Sequence, residues 1–138
     1  MTEPCDLSAV AARAAIGRRE LSPVDLLESC IRRIEAVDPA VNAMVALDLE
    51  GARRVARDQE AMMMRGEDLP PLFGLPLGVK DLIDAEGLPT TYGSPLFTDN
   101  VAKKDEAIVG MLRRAGAIVL GKTNTPEWGA GGNTRNAV

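Results

Sequence analysis

Lys80, in the run GLPLGVKD, is the residue whose type and place most invite chemistry. Strand alternation puts it on the same face as Pro76 and Gly78 and opposite Leu77 and Val79, so its neighbours on that face are small. A lysine at a buried strand's end loses hydration, which disfavours the ammonium and lowers the pKa. A neutral lysine can serve as a general base, and Ser–Lys pairs do so without histidine. The other reading is a strand-end lysine paired at the surface with Asp81 or Asp84. Spacing alone leaves both open.

Other clusters carry less. Asp81, Asp84 and Glu86 match no compact metal loop, and alternation sets the two aspartates on opposite faces, so a solvated acidic loop is the better account. Ser94 lies between Gly93 and Pro95 in turn chemistry, which favours a structural role over a nucleophilic one. Trp128 and Asn133 on either side of Gly129, Gly131 and Gly132 break any phosphate-loop pattern, and no helix comes after them in the sequence. Met62, Met63 and Met64 lack neighbouring Cys or His and read as packing at a helix end.

Composition narrows the chemistry further. The 138 residues contain no histidine, which excludes Ser-His and Cys-His nucleophiles and imidazole metal sites built from this chain. Two cysteines, Cys5 and Cys30, make neither a disulfide framework nor a four-cysteine zinc site, and they suit a reducing compartment. A net charge of −4 argues against a basic nucleic-acid surface. The start MTEPCDLS has no signal-peptide pattern and no apolar run nears membrane-spanning length, so the expectation is a cytoplasmic protein with no direct nucleic-acid or membrane partner.

The elements that must position Lys80 emerge from periodicity. Residues 1–70 carry 9 Arg, no Lys and 13 acids, whereas residues 71–138 carry all four Lys and balanced charge, so we expect a helical part (1–70) before an α/β part (71–138). A helix is expected over Leu7 to Ile16. Ser22 and Pro23 open a second, with Val24, Leu27, Ile31 and Ile34 on one side, a Glu28–Arg32 pair on the other and Pro39 beyond its end. Val41, Ala43, Val45 and Leu47 alternate as a strand, and Asp48 caps a third helix running to Gly66. Leu75, Leu77 and Val79 mark a strand running into Ile83. Asp105 caps a helix presenting Ile108, Met111, Leu112 and Ala115, and the apolar run AIVLG reads as a buried parallel strand. The expected fold class is α/β: N-terminal helices, then a mixed sheet with a β–α–β unit.

The strings GVKD, GLPTTYGS, AGAIVLGKTN and PEW, in this order and spacing, together with ELSPVDLLESCIRRIEAVDPAVNAMVALD, resemble the amidase signature family of C–N hydrolases. The likeness runs over nearly the whole chain. It implies that residues 1–138 form the N-terminal part of one amidase signature domain, an incomplete part of an α/β/α fold, ending before the family's Gly/Ser-rich signature. It also implies a Ser–Ser–Lys mechanism in which Lys80 is the lysine, both serines lie in the signature beyond NTRNAV, and Trp128, Gly129 and Ala130 line the substrate channel. For Trp128 an anchoring role in the local core is the competing reading. The implied reaction is hydrolysis of a small-molecule amide without metal or organic cofactor. The alternatives are a glutamine-dependent tRNA amidotransferase subunit of the same family, and a non-catalytic truncated homologue.

No serine comes after Ser94, so the 138-residue chain by itself is expected to be inactive. The ending GGNTRNAV, in turn-forming residues, suggests a missing C-terminal portion of the same protein as its natural partner. Open sheet edges would then favour association, including a homo-oligomer. In the complete protein Lys80 is expected to be desolvated, and in this chain more hydrated.

Overall fold

The computed structural model describes residues 3–138. Ser8 caps the first helix, α1 (Ala9–Gly17), by accepting the N–H of Ala11; the helix therefore begins two residues later than Leu7. Ser22 accepts the N–H groups of Val24 and Asp25 and opens α2 (Pro23–Val41). Pro39 does not lie beyond this helix but in its last turn. There its missing N–H removes one helical bond, and Asn42 in the left-handed region ends the helix three residues later. The Asp38 carboxylate then accepts the N–H groups of Ala43 and Met44 at 2.7 and 3.0 Å, steering the chain into β1 (Met44–Leu47).

That extra turn of helix reverses the expected faces of the strand. Met44 and Ala46 turn inward, whereas Val45 and Leu47 are exposed and Val41 belongs to the helix. The Glu28–Arg32 pair does not form either. Glu28 receives both arms of Arg53 (2.7 and 3.1 Å) from α3 (Leu49–Arg65), and Arg32 lies 3.9 Å from Glu3. Asp48 caps α3 through the N–H of Gly51, and Gly66 closes it with φ +76°.

The second part contains β2 (Pro76–Lys80), α4 (Ala107–Arg114) and β3 (Ile118–Thr123). β2 stops at Lys80, short of Ile83, whose N–H turns back to the Lys80 carbonyl. Asp105 does not cap α4. It accepts the N–H of Glu86 and pairs with Arg113, while Glu106 takes the cap position without a side-chain bond. The inner face of α4 is centred on Val109, leaving Ile108 and Met111 exposed.

The strand order is β1-β3-β2, with β2 parallel and β1 antiparallel to the buried central β3. Ile118 and Leu120 pack against Leu27, Ile31, Ala52 and Ala56 of α2 and α3. Val119 faces the other side with Val79, Ala85, Leu88 and Val109. A third cluster, Ala12, Ile16, Leu26, Met63 and Phe73, seats α1. Met63 is thus core, as expected of the methionine run, whereas Met64 is exposed.

One irregularity in this sheet shapes the site. Leu77 aligns with Val119 but Gly78 aligns with Gly121, so the register skips Leu120. Such an extra residue reverses the alternation along the rest of the strand. Lys122 therefore shares the face of Val119 and not that of Leu120. Gly121 is required at this point, because a Cβ there would overlap the Ala46 carbonyl oxygen of β1.

Candidate functional site

Lys80 ends β2 opposite Thr123 of β3, at the carboxyl edge of the parallel pair, where open α/β sheets commonly place their sites. Its side chain is exposed, and it makes no ion pair with any described acid. The face it shares with Gly78 is narrow: a Cβ on Gly78 would press on the Thr123 methyl group and approach the end of Met44. Neither Asp81 nor Asp84 holds Lys80.

Asp81 is occupied elsewhere. It is 2% exposed, not the solvated loop residue expected from sequence. Its carboxylate accepts the N–H of Thr91 at 3.0 Å and the Thr91 hydroxyl, and lies 3.4 Å from the ammonium of Lys122. Lys122 is fully buried. Its Nζ also donates to the Pro89 carbonyl at 2.9 Å and to Thr90 Oγ1 at 2.8 Å. Burial pushes this ammonium below the ordinary lysine range, and the Asp81 charge opposes that push. Two of its N–H groups are thus spent on Pro89 and Thr90, with the Asp81 carboxylate at ion-pair distance. The sequence reading missed this pair.

Backbone bonds carry the aromatic segment to the same edge. The Asp81 N–H donates to the Thr123 carbonyl and the Tyr92 N–H donates to the Asp81 carbonyl, while the Trp128 N–H reaches the Tyr92 carbonyl at 2.7 Å. Tyr92 and Trp128 both hold φ +56°. A non-glycine residue in that region costs about 1 kcal/mol or more, which the surrounding packing must offset. Their rings stack at 5.1 Å and 11°, and Phe97 meets both edge-on at 5.3 and 5.1 Å. Trp128 remains 53% exposed while its ring stacks on Tyr92. Gly129 rests on Leu82, where a Cβ would press on its side chain, and Ala130 is exposed. Lys80 and the Trp128–Ala130 segment are thus joined to one loop, Asp81–Tyr92.

The four serines are engaged in other ways. Ser8 and Ser22 cap helices, Ser29 accepts the Cys5 N–H at 3.1 Å, and Ser94 is buried with its hydroxyl unpaired. No group of three metal-ligating side chains occurs among the described residues, and no described helix is long and apolar enough to cross a membrane.

The chain is similar to known proteins over nearly its whole length. The Amidase family profile matches residues 25–138. An acylamidase of Rhodococcus erythropolis is 43% identical over 130 residues, covering 94% of this chain and 27% of the relative. A glutamyl-tRNA(Gln) amidotransferase subunit of Salinispora tropica is 40% identical over 134 residues, covering 97% and 27%. The crystal structure of a bacterial aryl acylamidase of the amidase signature family superposes with a TM-score of 0.86 at 30% identity, covering 93% of this chain and 27% of that one. The chain therefore spans about a quarter of the length of these relatives.

Proposed function

The chain belongs to the amidase family, and from that premise we propose that it supplies the general base, Lys80, and part of the substrate wall, Trp128, Gly129 and Ala130, for hydrolysis of a carboxamide C–N bond. The observation that carries this reading is the state of Lys80. It stands at the carboxyl edge of parallel β2 with an exposed side chain, while the adjacent carboxylate, Asp81, is turned into the fold.

The chemistry runs by acyl transfer. The neutral amine of Lys80 takes a proton through a bridging serine from a nucleophilic serine. The freed oxygen attacks the amide carbonyl, and backbone N–H groups hold the resulting oxyanion, an effect worth about 3–4 kcal/mol for one donor. Collapse breaks the C–N bond as the proton passes to the leaving nitrogen. Water then cleaves the acyl ester, releasing the acid and restoring the serine. The family resemblance assigns both serine roles to a Gly/Ser-rich signature whose residues are not among those of this chain, which has no serine after Ser94. Lys122 is the wrong lysine for the task because it is fully buried and its ammonium is spent on Pro89, Thr90 and Asp81 inside the protein.

The Salinispora relative favours a second reading, in which the same base releases ammonia from glutamine for an amidotransferase. Its partners would then be further subunits. Assaying glutamine against acyl anilides separates the two.

The deciding experiment uses the longer polypeptide that joins this chain to a serine-bearing segment. A fluorophosphonate probe should label that polypeptide and leave the 138-residue chain untouched. Lys80→Ala should lower kcat/KM for amide hydrolysis by about a thousandfold or more, within the range removed with a general base. Activity within about tenfold of the parent, or labelling of the shorter chain, would sink the reading.

A further inference from the structure

Buried lysines are uncommon, and Lys122 has no part in the acyl transfer just described, so its place needs a reason. In sequence, Lys80 stands directly before Asp81. A carboxylate beside an amine favours the ammonium, the wrong protonation state for a base. The fold removes that problem. We propose that Lys122 is a positioning residue for the Lys80 site: it holds Asp81 on the inner face of the sheet and stitches Pro89 and Thr90 to β3, leaving Lys80 without a carboxylate partner. The proposal rests on the reading of Lys80 as the base.

Three observations carry it. First, the reversed alternation at Leu120 sends Lys122 to the face of Val79, whereas Lys80, aligned with Thr123, projects from the opposite face. The pair therefore lies beneath the strand end and does not occupy it. Second, the brace is continuous. Lys122 holds Pro89 and Thr90, the Thr90 carbonyl accepts Asn100 Nδ2 at 2.8 Å, and Asp81 holds Thr91 by N–H and hydroxyl. Third, the carboxylates that act on Lys122 and on Tyr92 come from two places. The loop offers Asp81 and Asp84, the start of α4 offers Glu106, and β3 offers Lys122; β1 (Met44–Leu47) offers none, and Asp38 of α2 is taken by two backbone N–H groups. Within that group Lys122 is the cation that faces Asp81.

Competitive acetylation of the lysines of the 138-residue chain at fixed pH, read at Lys80 by peptide mass spectrometry, tests this without any assay of activity. Lys122→Met leaves the Asp81 charge uncompensated and should slow labelling of Lys80 about threefold, as expected of one extra charge through partly screened protein. Asp81→Asn leaves the Lys122 charge uncompensated and should speed it by about as much. Lys122→Arg should keep the parent rate. Changes of opposite sign support the proposal; general loosening of the fold would move both variants the same way. An unmoved rate, or equal changes of one sign, overturns it. Should Lys122→Met fail to fold, Asp81→Asn and Lys122→Arg decide the matter. Failure of the base reading itself shows separately, as full hydrolysis by Lys80→Ala in the longer polypeptide.

Discussion

Lys122 and Asp81 face each other across 3.4 Å with neither side chain open to solvent, although 41 positions separate them in sequence. The pair ties the end of β2 to the end of β3, and through Thr91 it fixes the loop that carries Tyr92. Lys80, one residue from Asp81, is exposed and free. Two lysines at one sheet end therefore stand in opposite environments, and the substitutions that separate them are direct.

Stability should respond to the buried lysine and not to the exposed one. Lys122→Met leaves a buried carboxylate without its cation, a change that commonly costs about 3–5 kcal/mol. Lys80→Ala removes an exposed side chain without an ion pair and should stay within about 0.5 kcal/mol of the parent. Urea unfolding of the chain measures both. Equal losses would mean that Lys80 has structural partners in solution that the fold does not show.

Gln59 should prove as important as any apolar core residue. It donates to the Gly116 carbonyl and accepts the Gly74 N–H, both at 2.9 Å, locking α3 to the turn before β3 and to the segment before β2. Gln59→Leu preserves bulk but strands two buried backbone groups, each costing about 1–3 kcal/mol. A loss of about 2–5 kcal/mol in the denaturation free energy is expected on that basis. A change below about 1 kcal/mol would mean that water or relaxation replaces both bonds.

Much of this architecture was legible because its signals are local. Ser22 before Pro23, Asp48 before an amphipathic run and Gly66 after it each act within one helical turn, and all three behave as read. The apolar run at Ile118–Leu120 marked a buried strand for the same reason. The misread features depend on distant partners. Pro39 read as a stop, yet the Asp38 cap and the packing of α2 carry the helix past it, and this reverses the faces of β1. Lys122 gave no local sign of burial, since Pro89, Thr90 and Asp81 come from other segments and the skipped residue at Leu120 breaks the alternation that would have placed it. Asp81 carries no local mark of burial either, because its cation lies 41 residues away.

The Glu28–Arg53 contact should tie α2 to α3 in a pH-dependent way. The two-armed bond from Arg53 holds the Glu28 carboxyl below its ordinary value of 4.5. A carboxylate with a depressed folded pKa contributes stability above the unfolded pKa, and loses it as pH falls through the folded one. Stability of the parent should therefore drop more steeply below pH 4.5 than that of Glu28→Gln. Parallel acid profiles for the two proteins would show that the pair is solvated and without net effect.

Cys30 should react sluggishly for a free thiol. Burial, with a smaller contribution from nearby Cys5, pushes its pKa above the ordinary 9.0, so little thiolate forms at neutral pH. Iodoacetamide at about pH 8 should therefore alkylate Cys30 several-fold more slowly in the folded chain than in urea, as read by peptide mass spectrometry. The same shift sets a sign on alkaline stability. Between pH 9.0 and the raised folded pKa the unfolded chain loses the Cys30 proton first, so this group favours unfolding as pH rises. Cys30→Ser, which does not titrate there, should flatten that part of the profile. If Cys30 labels at the urea rate while the chain remains folded, the face of α2 against the Pro4–Asp6 turn opens freely in solution, and the shielding attributed to it is absent.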